Sequence, residues 1–249
     1  MPQPRRSFIF TPGLRPEMFP KALASGADMV CVELEDGVSP KDKDIARAHT
    51  MRLFEVPQAD DGIERIVRIN CLREAFGIAD VQAVLSAKFP PPAIMLPKVQ
   101  TPEEIVMFDE LLTEQGHDTR LHVIIETNAA LECAFDIAHC SSRIDALFFG
   151  GVDMAAELRC EHSWESLLYA RSRVVHAAAS AGLGGADRVR RHDPWTGRLR
   201  QPSQPSVGSS HGSGCPRPGP EDRHLRNSGG GRRDPESSRD RGDRLGPVR

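Results

Sequence analysis

The chain has 249 residues with 32 basic and 35 acidic side chains, and a formal net charge of −3 that hides an acidic body and a basic end. Residues 1–183 carry 18 Lys and Arg against 27 Asp and Glu, which argues against a nucleic acid as the partner of the body. The longest apolar runs fall well short of the roughly 18 residues that span a bilayer, and six cysteines without a C-x-x-C pair or a leader read as thiols of a cytoplasmic protein.

In chain order, short apolar runs predict strands at Ser7–Thr11, Met29–Leu34, Arg65–Ile69, Ala93–Pro97, Leu121–Ile125 and Ala146–Phe149. Helical patterns follow each one, at Pro16–Ser25, Pro40–Glu55, Phe76–Ala87, Pro102–Gln115, Asn128–His139 and Trp164–Ala181. Ser39-Pro40-Lys41-Asp42 and Thr101-Pro102-Glu103-Glu104 each place a hydroxyl before Pro, with acids in the first turn, which predicts side-chain N-caps. Ile105, Phe108, Leu111 and Leu112 then share one helix face. Cys31, inside an apolar strand, reads as core packing.

Consecutive strand–helix units call for a parallel sheet covered on both faces. An open doubly wound sheet gathers its chemistry at one switch point, whereas a barrel brings the C-terminal ends of all its strands to one mouth. Here polar residues follow nearly every strand: Glu35-Asp36, Arg68 with Asn70, Lys98, Glu126 and Asp153. The expectation is an α/β chain of the (β/α)8 TIM-barrel class, with six of its units recognisable in an incomplete catalytic domain over residues 1–183.

Glu126 and Asp153, read as neighbouring strand ends, suit a hard cation such as Mg²⁺, which takes carboxylates, waters and substrate oxygens. Capping of the next helices is the competing role for each of them. Beside such a site, Glu35 and Asp36 can hold metal-bound water or orient ligands; alone they are a solvated turn. Arg68, inside an apolar strand, either pairs with a carboxylate or grips an anionic substrate. Lys98 reads as a structural ion pair rather than a Schiff-base lysine.

Taken together, Arg6-Ser7-Phe8-Ile9-Phe10-Thr11-Pro12-Gly13, Val32-Glu33-Leu34-Glu35-Asp36-Gly37-Val38, Lys43 to Arg47, Val67-Arg68-Ile69-Asn70, Leu96-Pro97-Lys98-Val99, Ile125-Glu126-Thr127 and Phe149-Gly150-Gly151-Val152-Asp153 resemble, over residues 6–183, the citrate lyase β-subunit-like branch of the HpcH/HpaI aldolase superfamily, including its malyl-CoA lyase-like members. The resemblance implies a Mg²⁺-dependent barrel, with Mn²⁺ as the alternative ion, that cleaves or forms a carbon–carbon bond in a short acyl-CoA ester. It implies Glu126 and Asp153 as metal ligands and Arg68 as the clamp on a substrate carboxylate or oxo group. It also implies Phe10, Arg15 and Lys21 as CoA-binding residues, for which ordinary helix-face solvation of Arg15 and Lys21 is the alternative. A 2-oxo acid aldolase that does not use CoA is the second reading, and a non-catalytic fragment or regulatory subunit the third. The family expectation is a homo-oligomer, a trimer or hexamer, once the barrel is complete.

From Gly184 onward the pattern stops. Residues 184–249 contain no Lys, Ile, Phe, Met or Tyr but hold 14 Arg, 12 Gly, 8 Pro and 8 Ser. Such a composition does not bury enough apolar surface to offset the entropy of ordering it. Two expectations stay open for it: a disordered basic tail, or GC-rich codons read out of frame across the last two barrel units, leaving the chain inactive.

Overall fold

In the computed structural model the described residues are 5–183, and the expectations for residues 184–249, Cys215 among them, lie outside them. Six strands, β1 (Phe8–Pro12), β2 (Met29–Glu33), β3 (Glu64–Arg68), β4 (Ala93–Leu96), β5 (Arg120–Ile125) and β6 (Ile144–Phe149), form one sheet in sequential order, all pairs parallel. Between and after them run α1 (Phe19–Leu23), α2 (Lys43–Arg52), α3 (Ala75–Leu85), α4 (Pro102–Glu114), α5 (Asn128–Glu132), α6 (Ala134–His139), α7 (Gly151–Leu158) and α8 (Leu168–Ser180). The sheet curls until its first and last strands face each other: the Phe8 and Phe148 rings lie 5.8 Å apart. This is the arc of a TIM-barrel-like fold.

Strand alternation sorts the side chains into two cores. Val30, Val32, Val67, Ile94, Leu96, Leu121, Val123, Ile125 and Leu147 point outward and pack with Phe108, Leu112, Ile137 and Val174 of the helices. Met29, Cys31, Ile66, Met95, Ile124 and Phe148 point inward and pack with Phe8 and Phe10. Cys31 is fully buried there, as expected, and burial pushes its thiol well above the ordinary value. Extending the same parity by two residues takes Cys31 to Glu33, Ile66 to Arg68 and Ile124 to Glu126, so those polar groups share the interior face at the C-terminal end. Two residues the other way lie Glu64 and His122, at the N-terminal end.

Several local expectations are corrected. The pattern over 128–139 is two helices, broken at Cys133, whose backbone (φ −100°, ψ 22°) leaves the helical region. Pro16–Met18 and Pro40–Asp42 are single 3-10 turns ahead of α1 and α2. α7 was not anticipated, because its eight residues open on Gly150-Gly151 and it ends on a left-handed Arg159. Neither Ser39 nor Thr101 makes the predicted side-chain cap. The Thr101 hydroxyl pairs with the Glu103 carboxylate instead. Thr127, at the end of β5, is a true cap: its hydroxyl accepts from the Ala130 amide at 3.0 Å and donates to the Val99 carbonyl at 2.7 Å.

Candidate active site

At the C-terminal end of the strands, a cleft of about 270 Å³ is lined by Phe8 and Phe10 of β1, Arg68 of β3, Glu126 just past β5, and Gly150 to Asp153 past β6. Arg68, Glu126, Asp153 and Phe10, expected to act together, are thus brought to one mouth. Asp153 is not at a strand end, however. It sits in the first turn of α7, where a carboxylate also suits the positive helix end.

Arg68 is held before any ligand arrives. Its Nε donates to Glu33 Oε2 at 2.6 Å, and Nη2 lies 2.6 Å from the same oxygen. The two residues are direct partners in the β2–β3 register. Nη1 stands 3.2 Å from Glu35 Oε2, at ion-pair distance but without hydrogen-bond alignment, which leaves that buried oxygen unsatisfied. The guanidinium lies 4.8 Å from the Phe10 ring centre, a cation–π arrangement. Burial works against the charge on Arg68, but Glu33 and Glu35 outweigh it and its pKa is raised. Arg68 therefore both pairs with structural carboxylates and lines the cleft.

Glu126 is 3 % exposed. Burial pushes its carboxyl up to about 8, the Lys98 amide pulling the other way and the charges of Asp153 and Glu35 adding to the rise. The Lys98 backbone N–H donates to its Oε1 at 2.8 Å. A side chain on Gly150 would place its Cβ 2.2 Å from Glu126 Oε2, so only glycine lets the strand-end carboxylate seat here.

Behind these groups lies a second tier. Glu35 is 4 % exposed and accepts from Lys98 Nζ at 2.5 Å, whereas Asp36 is exposed and meets the same ammonium at 2.9 Å. Burial lowers the Lys98 ammonium, but Glu35 and Asp36 overcome that and raise its pKa, which favours a charged ammonium in a structural ion pair. Lys43, buried on α2, donates to the carbonyls of Leu34 (2.8 Å) and Glu35 (2.7 Å) and to Asn70 Oδ1 (2.5 Å). Asp80 in turn accepts from the Asn70 amide nitrogen and from Arg47. Sequence reasoning missed the role of Glu33, although two acids spaced i, i+2 at the end of an apolar strand must share a face. It also missed Lys43 as the fastener of the β2 end.

Arg15 and Lys21 are exposed, on the segment after β1 and on α1, and neither lines the cleft that Phe10 enters. A different acidic cluster, Glu64, His122 and Asp145, has ligand-type atoms within 4.8 Å of one another, but at the N-terminal end of the strands. Arg5 fills it, donating to both oxygens of Glu64 and to Asp145. Two guanidiniums face the two acids there: Arg5 lies in the cup, and Arg120 Nη2 stands 3.7 Å from Asp145.

The donor set at the mouth fits a hard divalent cation: the Glu126 and Asp153 carboxyls line one cleft, a buried Glu35 oxygen lacks a hydrogen-bond donor, and Gly150 leaves room for Glu126. Among the described residues no helix is long and apolar enough to cross a membrane.

The family profile described as HpcH/HpaI aldolase/citrate lyase matches residues 6–206, a stretch that runs past Leu183. Citrate lyase subunit beta of Escherichia coli (strain K12) is 33 % identical over 194 residues, covering 74 % of this chain and 63 % of that protein. The L-malyl-CoA/beta-methylmalyl-CoA lyase of Cereibacter sphaeroides is 36 % identical over 164 residues, covering 63 % of this chain and 51 % of the relative. The chain thus spans less than two thirds of the length of these relatives. A Mycobacterium tuberculosis citrate lyase beta subunit solved with oxaloacetate and magnesium superposes with a TM-score of 0.58 at 27 % identity, covering 71 % of this chain and 75 % of that one.

Proposed function

The chain belongs to the HpcH/HpaI aldolase/citrate lyase family, and on that premise we propose that it is a Mg²⁺-dependent carbon–carbon lyase acting on a short acyl-CoA ester of the malyl or citryl type. The observation that carries this reading is the meeting of Arg68, Glu126 and Asp153 at one strand-end cleft. Glu126 and Asp153 would hold the ion, with Glu35 and Asp36 behind them. When bound, the ion supplies Lewis acidity toward the substrate's carbonyl and carboxylate oxygens.

The chain's own residues do the rest. Arg68, fixed by Glu33 and stacked on Phe10, presents a permanent positive charge to a substrate carboxylate. Phe8, Phe10 and Phe148 keep the cleft floor apolar, which strengthens every charge interaction above it. In the cleavage direction the substrate's hydroxyl loses its proton. The bond from that carbon to the α-carbon of the thioester breaks, leaving an oxo acid and a thioester enolate that takes up a proton. Arg15 and Lys21, exposed near the entrance strand, would meet CoA phosphates outside the cleft.

The test is to incubate the full chain with Mg²⁺ and L-malyl-CoA, citramalyl-CoA or citryl-CoA and to follow acetyl-CoA release by chromatography. Metal-dependent release that Arg68→Ala abolishes is expected. The CoA-free 2-oxo acid aldolase remains the second reading, because Arg15 and Lys21 stand apart from the cleft. Turnover of a free hydroxy-oxo acid with no acyl-CoA cleavage would replace the first reading with it.

A further inference from the structure

Lys98 is one of two non-glycine residues among those described with a left-handed backbone, at φ 51°. For a residue with a Cβ this conformation is disfavoured and persists only where its surroundings over-determine it. Four contacts do so here. Arg73 donates to the Lys98 carbonyl at 2.7 Å while its other nitrogen grips Glu104. Thr127 donates to the next carbonyl, Val99, at 2.7 Å. The Gln100 amide donates to Glu104 at 3.3 Å. The Lys98 ammonium is anchored on Glu35 and Asp36. The result of this strain is one specific contact, the Lys98 amide on Glu126 Oε1.

We infer that Lys98 is a positioning residue: its left-handed turn, fastened by Arg73, Thr127, Glu35 and Asp36, aims a backbone N–H at one oxygen of Glu126 and thereby fixes the orientation in which that carboxylate meets a divalent cation. The inference rests on the reading of Glu126 as a metal ligand. It differs from a plain charge role in sign. Removing a positive charge next to a cation site strengthens cation binding if electrostatics alone is at work. Releasing the turn weakens it, because the carboxylate loses its preset orientation, and such supporting contacts are typically worth about 10- to 100-fold in metal affinity.

The experiment is Mn²⁺ binding to the full chain, followed by loss of the free-ion electron paramagnetic resonance signal, with circular dichroism as the check on folding. Lys98→Met is expected to weaken Mn²⁺ binding roughly tenfold. Lys98→Arg, which keeps the ion pairs, should restore most of the affinity. Arg73→Ala, which frees the Lys98 carbonyl and leaves the ammonium on Glu35 and Asp36, should weaken Mn²⁺ binding in the same direction, and it supplies the answer if Lys98→Met is misfolded. Unchanged or tighter binding in Lys98→Met, or in Arg73→Ala should Lys98→Met be misfolded, overturns the positioning role while leaving Glu126 as a ligand. Wild-type chain that binds no Mn²⁺, or binds it equally well after Glu126→Gln, overturns the metal reading and this inference with it.

Discussion

The two ends of the barrel hold the same residue types in opposite electrostatic states. At the N-terminal end, Glu64 is flanked by Arg5 and His122, whose Nε2 lies 2.8 Å away. Burial would raise its carboxyl, but these partners hold it down at about 2. At the C-terminal end, burial, with Asp153 and Glu35 adding to it and the Lys98 amide and Arg68 offsetting it only in part, pushes the Glu126 carboxyl up to about 8. One end pairs its carboxylates with arginines, Arg5 on Glu64 and Asp145 with Arg120 3.7 Å from Asp145, and the other leaves a buried carboxyl without a cation of its own facing a cleft. The difference teaches which end serves folding and which is built for a ligand: paired carboxylates tie strands together, and a buried carboxyl with a strongly raised pKa beside a cleft marks chemistry.

Substitution of the two glutamates should separate these roles. The largest effect is expected from Glu126→Gln, which should abolish metal-dependent stabilisation and lower any lyase activity by at least about a thousandfold. Its effect on the metal-free chain should have the reverse sign. Glu126 has a folded value near 8 against an unfolded one near 4.5, so the folded state binds the extra proton between these limits. Wild-type stability should therefore fall as pH rises through that window, and Glu126→Gln should be the more stable chain at pH 9. Urea titrations at pH 6 and pH 9 check this, and a metal-free Glu126→Gln that is the less stable at pH 9 would break the comparison.

Glu64→Gln should act the other way. With a folded value near 2 and an unfolded one near 4.5, the ionised group stabilises above pH 4.5 and that contribution is lost as pH falls toward 2. The shift corresponds to roughly 3 kcal/mol at neutral pH. Glu64→Gln should cost about that much without touching metal affinity, and should flatten the acid limb of the stability profile. A Glu64→Gln chain as stable as wild type at pH 7 would show that the Arg5 cup is not a structural fastener.

How much of this was legible in the sequence differs between the ends as well. The strand-end polar groups announce themselves, because each follows an apolar run at the parity of an interior residue: Ile66 to Arg68, Ile124 to Glu126. Each of the six predicted strands overlaps its observed counterpart, since buried parallel strands read as continuous apolar runs. The Arg5 cup left no such mark. Its contacts span 59 and 140 residues, and no local pattern encodes a guanidinium reaching across a curled sheet. The left-handed Lys98 was equally hidden, because that conformation has a residue signature only at glycine or asparagine. α7 was lost behind two glycines that look like a turn, one of which is there to admit Glu126.

A smaller effect sharpens the account of the open end. If Arg15 and Lys21 serve CoA phosphates from outside the cleft, the Arg15→Ala, Lys21→Ala double variant should bind acyl-CoA roughly tenfold more weakly per lost contact, with Mg²⁺ affinity unchanged. Fluorescence competition with a CoA analogue measures it. Unchanged affinity favours the CoA-free aldolase.

The most direct measurement is the number of protons released when the full chain binds Mg²⁺, from calorimetric titrations in buffers of different ionisation enthalpy. A carboxyl near 8 is about nine-tenths protonated at pH 7 and must lose its proton to become a ligand. The account predicts release of roughly 0.9 proton per ion at pH 7, falling to about 0.1 at pH 9, with both values vanishing in Glu126→Gln. Binding of Mg²⁺ at pH 7 without proton release, or with release that survives Glu126→Gln, would contradict the claim that the buried Glu126 carboxyl at the C-terminal end is a metal ligand.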